Sequence, residues 1–279
     1  MFNRLIFLKN IWGNCMKVFN KVIVVTGAGG GIGRELVRQL LEKGATVAAI
    51  IHKSGLEEIK SLATVYGDDK ISTHIANIAN RDDVEKLPEE IIAVHGCIDG
   101  IINNAGIIQQ FHSVNDLDYE QIQRVMDVNF YGTLYMCKSF LPHLLNRPEA
   151  HITNVSSMGG FLPVPLQSVY AASKAAVKML TEGLHLELRD TNVGVTIVFP
   201  GGVDTNIVQN ARIELEGAAN HSYKMLSPNE AAAIIIKGME NKKYRVLAGN
   251  DAKIMDFLYR LNPKKATDII AKKIKTHLK

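Results

Sequence analysis

Short unbroken runs of β-branched and aliphatic residues alternate along the chain with longer stretches in which apolar residues recur every three or four positions. Val22 to Thr26, Ala45 to Ile51, Ile71 to Ala76, Ile98 to Ile102, His151 to Ser156, Val193 to Phe199 and Tyr244 to Ala248 have the length of strands. Several lack polar alternation, as strands covered on both faces do. Helical spacing predicts helices through Leu36, Val37, Leu40 and Leu41, over 56–66 and 82–94, within 115–145, and over 170–188 and 229–239. The chain from Lys253 to Lys279 reads as helical structure interrupted at Asn262-Pro263. Strands alternating with helices predict an α/β fold, a doubly wound parallel sheet of about seven strands with helices on both faces.

Composition supports one domain with a substantial core, since the chain has 279 residues, of which 47% are hydrophobic and 22% charged. The net charge is +4, with acids and bases interspersed outside a basic tail, and no stripe of the kind that nucleic-acid binding requires. Cys15, Cys97 and Cys137 are odd in number and widely spaced, which fits a reducing cytoplasm and argues against a disulfide framework or a zinc site. His143, His185 and the methionines have no partner at metal-ligand spacing, so no metal is expected. The apolar run Leu5 to Leu8 is short and flanked by Arg4 and Lys9, unlike a membrane span or signal peptide. The division expected is an extension over 1–16, a catalytic domain over 17–250 and a helical tail over 251–279. Met16 is a candidate natural start, which mass spectrometry of residues 1–15 in native protein would test.

The first strand runs into Gly27-Ala28-Gly29-Gly30-Gly31-Ile32-Gly33 and then a helix. Glycines let a backbone approach a pyrophosphate, and the free N–H groups of a helix start attract its charge, so this Rossmann-type unit is a candidate nucleotide cradle. Its spacing is Gly27-x-x-x-Gly31-x-Gly33, not G-x-G-x-x-G. The second strand ends Ile50-Ile51-His52-Lys53-Ser54, with no acid before Glu57 to bind a ribose 2′-hydroxyl. Lys53 and Ser54 could hold a 2′-phosphate, which favours NADP and leaves NAD possible. Asn103-Asn104-Ala105-Gly106 ends the fourth strand with small and amide residues able to pack beneath a cofactor, or simply to form a turn.

Tyr170 and Lys174 stand one helical turn apart on one face, so an ammonium could sit beside a phenol and lower its pKa from the usual value of about 10. Ser157 precedes Tyr170 by thirteen positions, at the end of a strand. Asn129 stands within a helix, where Asn needs a reason, such as an internal water. Pro200-Gly201-Gly202 ends the sixth strand, Thr205 follows on a loop, and 206–226 has the mixed composition of a flap.

Together, Thr26-Gly27-x-x-x-Gly31-Ile32-Gly33, Asn103-Asn104-Ala105-Gly106, Asn129, the Ser157 to Tyr170 interval, Tyr170-x-x-x-Lys174 and Pro200-Gly201 resemble the classical short-chain dehydrogenase/reductase family over about residues 18–250. The resemblance implies a catalytic set of Asn129, Ser157, Tyr170 and Lys174. Tyr170 would exchange a proton with the substrate oxygen, Ser157 would orient that oxygen, Lys174 would lower the Tyr170 pKa and hold the nicotinamide ribose, and Asn129 would keep a water in the proton relay. The expected cofactor contacts are Gly27, Gly31, Ile32, Gly33, His52, Lys53, Asn77, Ile78, Asn104, Ala105, Gly106, Tyr170, Lys174, Pro200, Gly201 and Thr205.

Departures from the family pattern are Asn77-Ile78 in place of Asp-Val, Ile51 in place of an NAD-type acid, and His52 in place of a frequent NADP-type Arg. Tyr244 to Gly249 and Arg260 to Pro263 resemble a bacterial subgroup labelled acetoin-dehydrogenase-like. Phe111, Phe161, Leu162 and Val164 are expected to line the pocket, suggesting an apolar secondary alcohol or ketone. The function expected is therefore reversible hydride transfer by a cytoplasmic homodimer or homotetramer, with helices over roughly 115–145 and 168–189 forming the interface. The alternatives are a catalytically silent nucleotide-binding scaffold and a membrane-surface enzyme acting on lipid-derived substrates. In the tail, Ile270, Ile274 and Leu278 share a face among Lys272, Lys273, Lys275 and Lys279. Short basic helices of this kind more often dock on their own domain than on a membrane.

Overall fold

The computed structural model describes residues 16–52, 55–205 and 225–275. Seven strands, β1 (Val22–Thr26), β2 (Thr46–Ile51), β3 (Ile71–Ile75), β4 (Gly100–Asn103), β5 (Ala150–Val155), β6 (Val193–Pro200) and β7 (Arg245–Ala248), form one sheet in the order β3-β2-β1-β4-β5-β6-β7. Every pairing in it is parallel. The order reverses between β1 and β4, which places a crevice at their carboxyl ends.

Period-two alternation assigns the strand residues to two cores. Ile23 and Val25 face α1 (Gly31–Glu42) and α7 (Pro228–Glu240), packing with Leu36, Val37, Leu40, Ile235 and Ile236. Val22 and Val24 face α3 (Arg81–His95) and α5 (Gly132–Leu145), packing with Val84, Ile91, Met136 and Phe140. Each fully buried side chain of this size contributes about 1.5–3 kcal/mol, which is why both faces of the sheet must be covered. The remaining helices are α2 (Leu56–Tyr66), α4 (Tyr119–Met126), α6 (Ser168–Glu187), α8 (Asn250–Leu261) and α9 (Pro263–Lys275).

Caps explain several boundaries. Asn80 Oδ1 accepts from the Asp82 and Asp83 N–H groups at the start of α3, and Ser227 with Glu230 forms a reciprocal capping box on α7. Helix α1 has no side-chain cap and no acid in its first turn, so its leading N–H groups face the end of β1 without a built-in anion.

Between Tyr119 and Leu145 the expected helical stretch is α4 and α5 joined by a π turn, Asp127–Tyr131, with Asn129 at its centre. The break expected at Asn262-Pro263 separates α8 from α9. Met16 is fully buried in the core and its N–H donates to the Glu240 carbonyl (2.8 Å). Lys53, Ser54, residues 206–224, Leu278 and Lys279 lie outside the described residues. Leu226 nevertheless pairs with the loop after β6, donating to the Gly202 carbonyl (2.9 Å) and accepting from Asp204 N–H (3.0 Å).

Candidate active site

The crevice between β1 and β4 is built around Thr26, the last residue of β1. Its Oγ1 accepts from the Asn104 and Ala105 N–H groups at 3.0 Å each, and its carbonyl accepts from Asn104 Nδ2 at 3.1 Å. A single hydroxyl thus holds the Asn-Asn-Ala-Gly turn against the glycine loop. Gly27 adopts φ +65 with the Ala105 Cα 2.9 Å from where a Cβ would stand. At Gly33 a Cβ would lie 2.0 Å from the Gly27 carbonyl, and at Gly31 it would lie 2.7 Å from Thr205 Cγ2. The loop after β6 therefore closes directly onto the start of α1, while Ile32 packs partly into the core.

Beyond β5 the chain turns through Ser157, whose Oγ accepts from Gly159 N–H (3.0 Å); a Cβ at Gly159 would lie 3.4 Å from that Oγ and 3.3 Å from Tyr170 Cε1, so hydroxyl and phenol ring flank the same glycine. Lys174, only 4% exposed, donates from Nζ to the Val155 carbonyl (3.0 Å). Its own carbonyl accepts from Ser156 Oγ (2.7 Å), so the end of β5 and the first turns of α6 are tied at both ends of one residue. Gly106 lies against this group: a Cβ there would be 3.1 Å from Lys174 Nζ and 3.2 Å from Asn129 Oδ1.

Burial pushes the Tyr170 phenol above its ordinary pKa, and the nearby Ser157 hydroxyl pulls it back in part. The net direction is opposite to the one expected from a neighbouring ammonium. Burial also moves Lys174, down to about 8, because its charge has lost most of its water. Tyr170 nonetheless stays partly accessible at the mouth of the crevice.

Asn129 is completely buried and fully engaged. Its Oδ1 accepts from Ile107 N–H, and its Nδ2 donates to the Ile107 carbonyl and to Ser173 Oγ, all at 2.9 Å. Ser173 in turn donates to the Tyr170 carbonyl (2.7 Å). The side chain thus clamps the segment after Gly106 to α6, and both amide hydrogens are committed.

Other expected contacts divide. His52 is exposed beyond β2, next to Lys53 outside the described residues. Asn77 Oδ1 accepts from Ala79 N–H (3.2 Å) within its own turn, and Ile78 is only 8% exposed, packed over Gly132. Pro200 ends β6 and Gly201 follows it. Leu162 does not line an open pocket: it is fully buried with Met255 and Ala266 beneath α8 and α9. Phe161 turns the same way, edge-on to Phe199 at 5.4 Å and tilted on Tyr259 at 6.1 Å. Both residues follow the glycine turn after Ser157 inward, because α8 and α9 need an apolar floor.

Sequence reasoning passed over Gln109, which is 1% exposed. Its Oε1 accepts from Tyr170 N–H (2.9 Å), its Nε2 donates to the Leu166 carbonyl (2.8 Å), and its own carbonyl accepts from Gln167 Nε2 (3.0 Å). Gln109 thereby satisfies an orphan N–H of α6's first turn and holds Leu166 at φ 65. Asp251 was also missed; its carboxylate accepts from Gly202 N–H (2.6 Å) and fixes the end of β6.

Comparison with known proteins gives this arrangement relatives. The model of the short chain dehydrogenase family matches residues 21–216. A Mycobacterium tuberculosis protein named as an oxidoreductase, SadH, is 35% identical over 252 residues, 86% of this chain and 90% of its own length. A Burkholderia cenocepacia short chain dehydrogenase solved with NADP is 27% identical, with TM-score 0.77 over 91% of this chain and 99% of that one. A Burkholderia phymatum short chain dehydrogenase/reductase solved with NAD shares the fold at TM-score 0.80 and 23% identity, over 89% of this chain and 96% of that one. With its seven-stranded parallel sheet and its match over most of the domain, the chain belongs to the short-chain dehydrogenase/reductase family of NAD(P)-dependent oxidoreductases.

Proposed function

We propose that the protein transfers hydride reversibly between a nicotinamide cofactor and an apolar secondary alcohol or ketone, with Tyr170 as general acid and base. The observation that carries this reading is the assembly at the β5 end: Ser157 and Tyr170 flanking Gly159, and Lys174 buried beside Gly106 and tied to Val155. The cradle fits a dinucleotide, since Gly27, Gly31 and Gly33 leave no room for a Cβ and the start of α1 brings no anion of its own. Gly27, Gly31, Ile32 and Gly33 would hold the pyrophosphate, with Thr205 against Gly31. Asn104, Ala105, Gly106, Pro200 and Gly201 would frame the nicotinamide side, Asn77 and Ile78 the adenine side, and His52 with Lys53 the ribose. Hydride chemistry is what the bound nicotinamide supplies.

The chain's own residues supply the proton and the geometry. In carbonyl reduction the Tyr170 phenol donates its proton to the substrate oxygen, and the Ser157 hydroxyl donates a hydrogen bond to the same atom. Burial favours the protonated phenol, the form this direction requires. Lys174 stays largely charged near neutral pH, as a base with pKa about 8 does, and stabilises the phenolate left behind. Asn129 holds the Gly106 segment and α6 in register for this step. NADP is the preferred cofactor on the basic character after β2, and NAD is the alternative; the solved relatives with NADP and with NAD fit either.

A screen of alcohols and ketones with NADH and NADPH, read by absorbance of the reduced nicotinamide, tests the whole reading. Turnover of apolar ketones is expected, and absence of turnover with every pair would leave a silent nucleotide-binding scaffold. Tyr170→Phe is expected to bind cofactor nearly as the parent does and to lose turnover by about 10²-fold or more. Lys53→Glu is expected to weaken NADPH relative to NADH, and an unchanged preference would overturn the cofactor assignment.

A further inference from the structure

Ile270 of the basic tail helix packs against the small core of Leu162, Met255 and Ala266, so this part of the tail docks on its own domain. The apolar face left open belongs to α8 instead. Ile254, Phe257 and Leu261 are spaced three and four residues apart, so they form one stripe, and they are 58%, 63% and 67% exposed. Lys253 and Arg260 flank the stripe, and the exposed Lys264 and Lys265 extend it past Asn262. The acids of α8 are withdrawn: Asp256 is buried against Arg245 and Arg260, and Asp251 is turned to Gly202. Asp268 is the one exposed acid among the described residues of α8 and α9.

The charge count gives the same direction. Residues 250–275 contain seven Lys and Arg against three Asp, a surplus equal to the +4 of the whole chain, so the other residues balance. Three large apolar side chains framed by cations match a bilayer surface, where the rings and aliphatic groups enter the acyl boundary and the cations meet anionic headgroups. No helix of the described residues is long and apolar enough to cross a membrane, so contact of this kind is peripheral.

We infer that the outer face of α8, from Ile254 through Phe257 and Leu261 with Lys253, Lys264 and Lys265, docks the protein on an anionic phospholipid surface. The inner side of α8 places Met255, Leu258 and Tyr259 over Phe161 and Leu162, a few residues past Ser157. Docking therefore holds the segment that follows Ser157 near the lipid, and, resting on the function proposed above, favours ketones and alcohols that partition into bilayers.

The test is co-sedimentation of the full chain with vesicles, without cofactor or substrate, so that its outcome is independent of hydride transfer. Vesicles of phosphatidylglycerol and phosphatidylcholine are expected to sediment the protein, and pure phosphatidylcholine is expected to sediment much less. Binding is expected to weaken as salt rises from about 0.1 M to about 1 M and the screening length falls from about 10 Å to about 3 Å. Ile254→Gln with Phe257→Gln and Leu261→Gln should lower the bound fraction about tenfold or more, and Lys253→Gln with Lys264→Gln and Lys265→Gln should do the same on anionic vesicles. Thermal melts of both variants verify folding; if one set misfolds, the other decides. Failure of the parent to sediment with anionic vesicles, or equal sedimentation by the folded variants, overturns the proposal. So does sedimentation velocity showing that the apolar variant breaks an oligomer while vesicle binding is unchanged, because the stripe would then meet a second copy of the chain.

Discussion

At the scale of single residues, the site depends on groups whose surroundings work against their resting chemistry. Lys174 is buried with its pKa down to about 8 from an ordinary 10.5. A base whose folded pKa is depressed binds fewer protons folded than unfolded, so its contribution to stability rises as pH climbs from about 8 to 10.5. At neutral pH the buried charge is a cost. Lys174→Met is therefore expected to raise the thermal midpoint by a few degrees, flatten that alkaline rise and remove turnover; a lower midpoint would mean the bond to Val155 outweighs desolvation. Gln109 works differently, holding Tyr170 through its backbone. Gln109→Leu leaves the Tyr170 N–H and the Leu166 carbonyl without these partners, at about 1–3 kcal/mol in denaturant unfolding. It should also lower kcat more than cofactor affinity, because the phenol is displaced while the glycine cradle is intact.

At the scale of elements, β5 carries a histidine that no surface role explains. His151 is fully buried, and its Nε2 meets Thr196 Oγ1 at 2.8 Å. Thr196 donates to the Lys243 carbonyl (2.6 Å), so His151 must donate from Nε2, and Nδ1 is a bare lone pair against Gly194. Burial, aided by the Lys242 charge, holds its pKa down at about 3 against an ordinary 6.5. A depressed folded pKa means the unfolded chain takes the proton first, so stability is complete above pH 6.5 and is lost progressively towards about 3. Urea midpoints should fall through that window, and His151→Gln, which keeps a donor for Thr196, should reduce the slope. A slope identical to the parent's would assign acid lability to carboxylates instead.

At the scale of the whole molecule, Asp99 ties the start of the sheet to its second core. Its carboxylate is nearly inaccessible, accepts from Val22 N–H (2.9 Å) and Arg147 Nε (2.8 Å), and lies 3.6 Å from Lys21 Nζ. Asp99→Ala is expected to cost about 3 kcal/mol, since it orphans a buried N–H at the head of β1 and a guanidinium at the end of α5. Equilibrium unfolding checks this, and a loss below the measurement error would show water replacing the carboxylate. Nothing around Asp99 in the sequence marks it, because its partners are 77 and 48 positions away.

Strands, helices and the glycine cradle were legible in the chain because both are local: a buried strand needs a run of β-branched residues, and a close backbone approach needs missing Cβ atoms. Asn129 was legible as an anomaly and no further, since a π turn is visible only once its hydrogen bonds exist. That Leu162 is buried beneath the tail instead of lining a pocket, and that α8 carries the open apolar face, had no sign in the sequence. Both depend on how α8 and α9 fold back over the turn after Ser157, a long-range packing decision with no local signature. By itself, then, the sequence determined the alternation of elements, the cradle and the Tyr170–Lys174 spacing. Tertiary structure alone decided the order of the sheet, the burial that moves Lys174, the Gln109 and Asp99 connections, and the outward face of α8, because each is a contact between residues that chain order keeps apart.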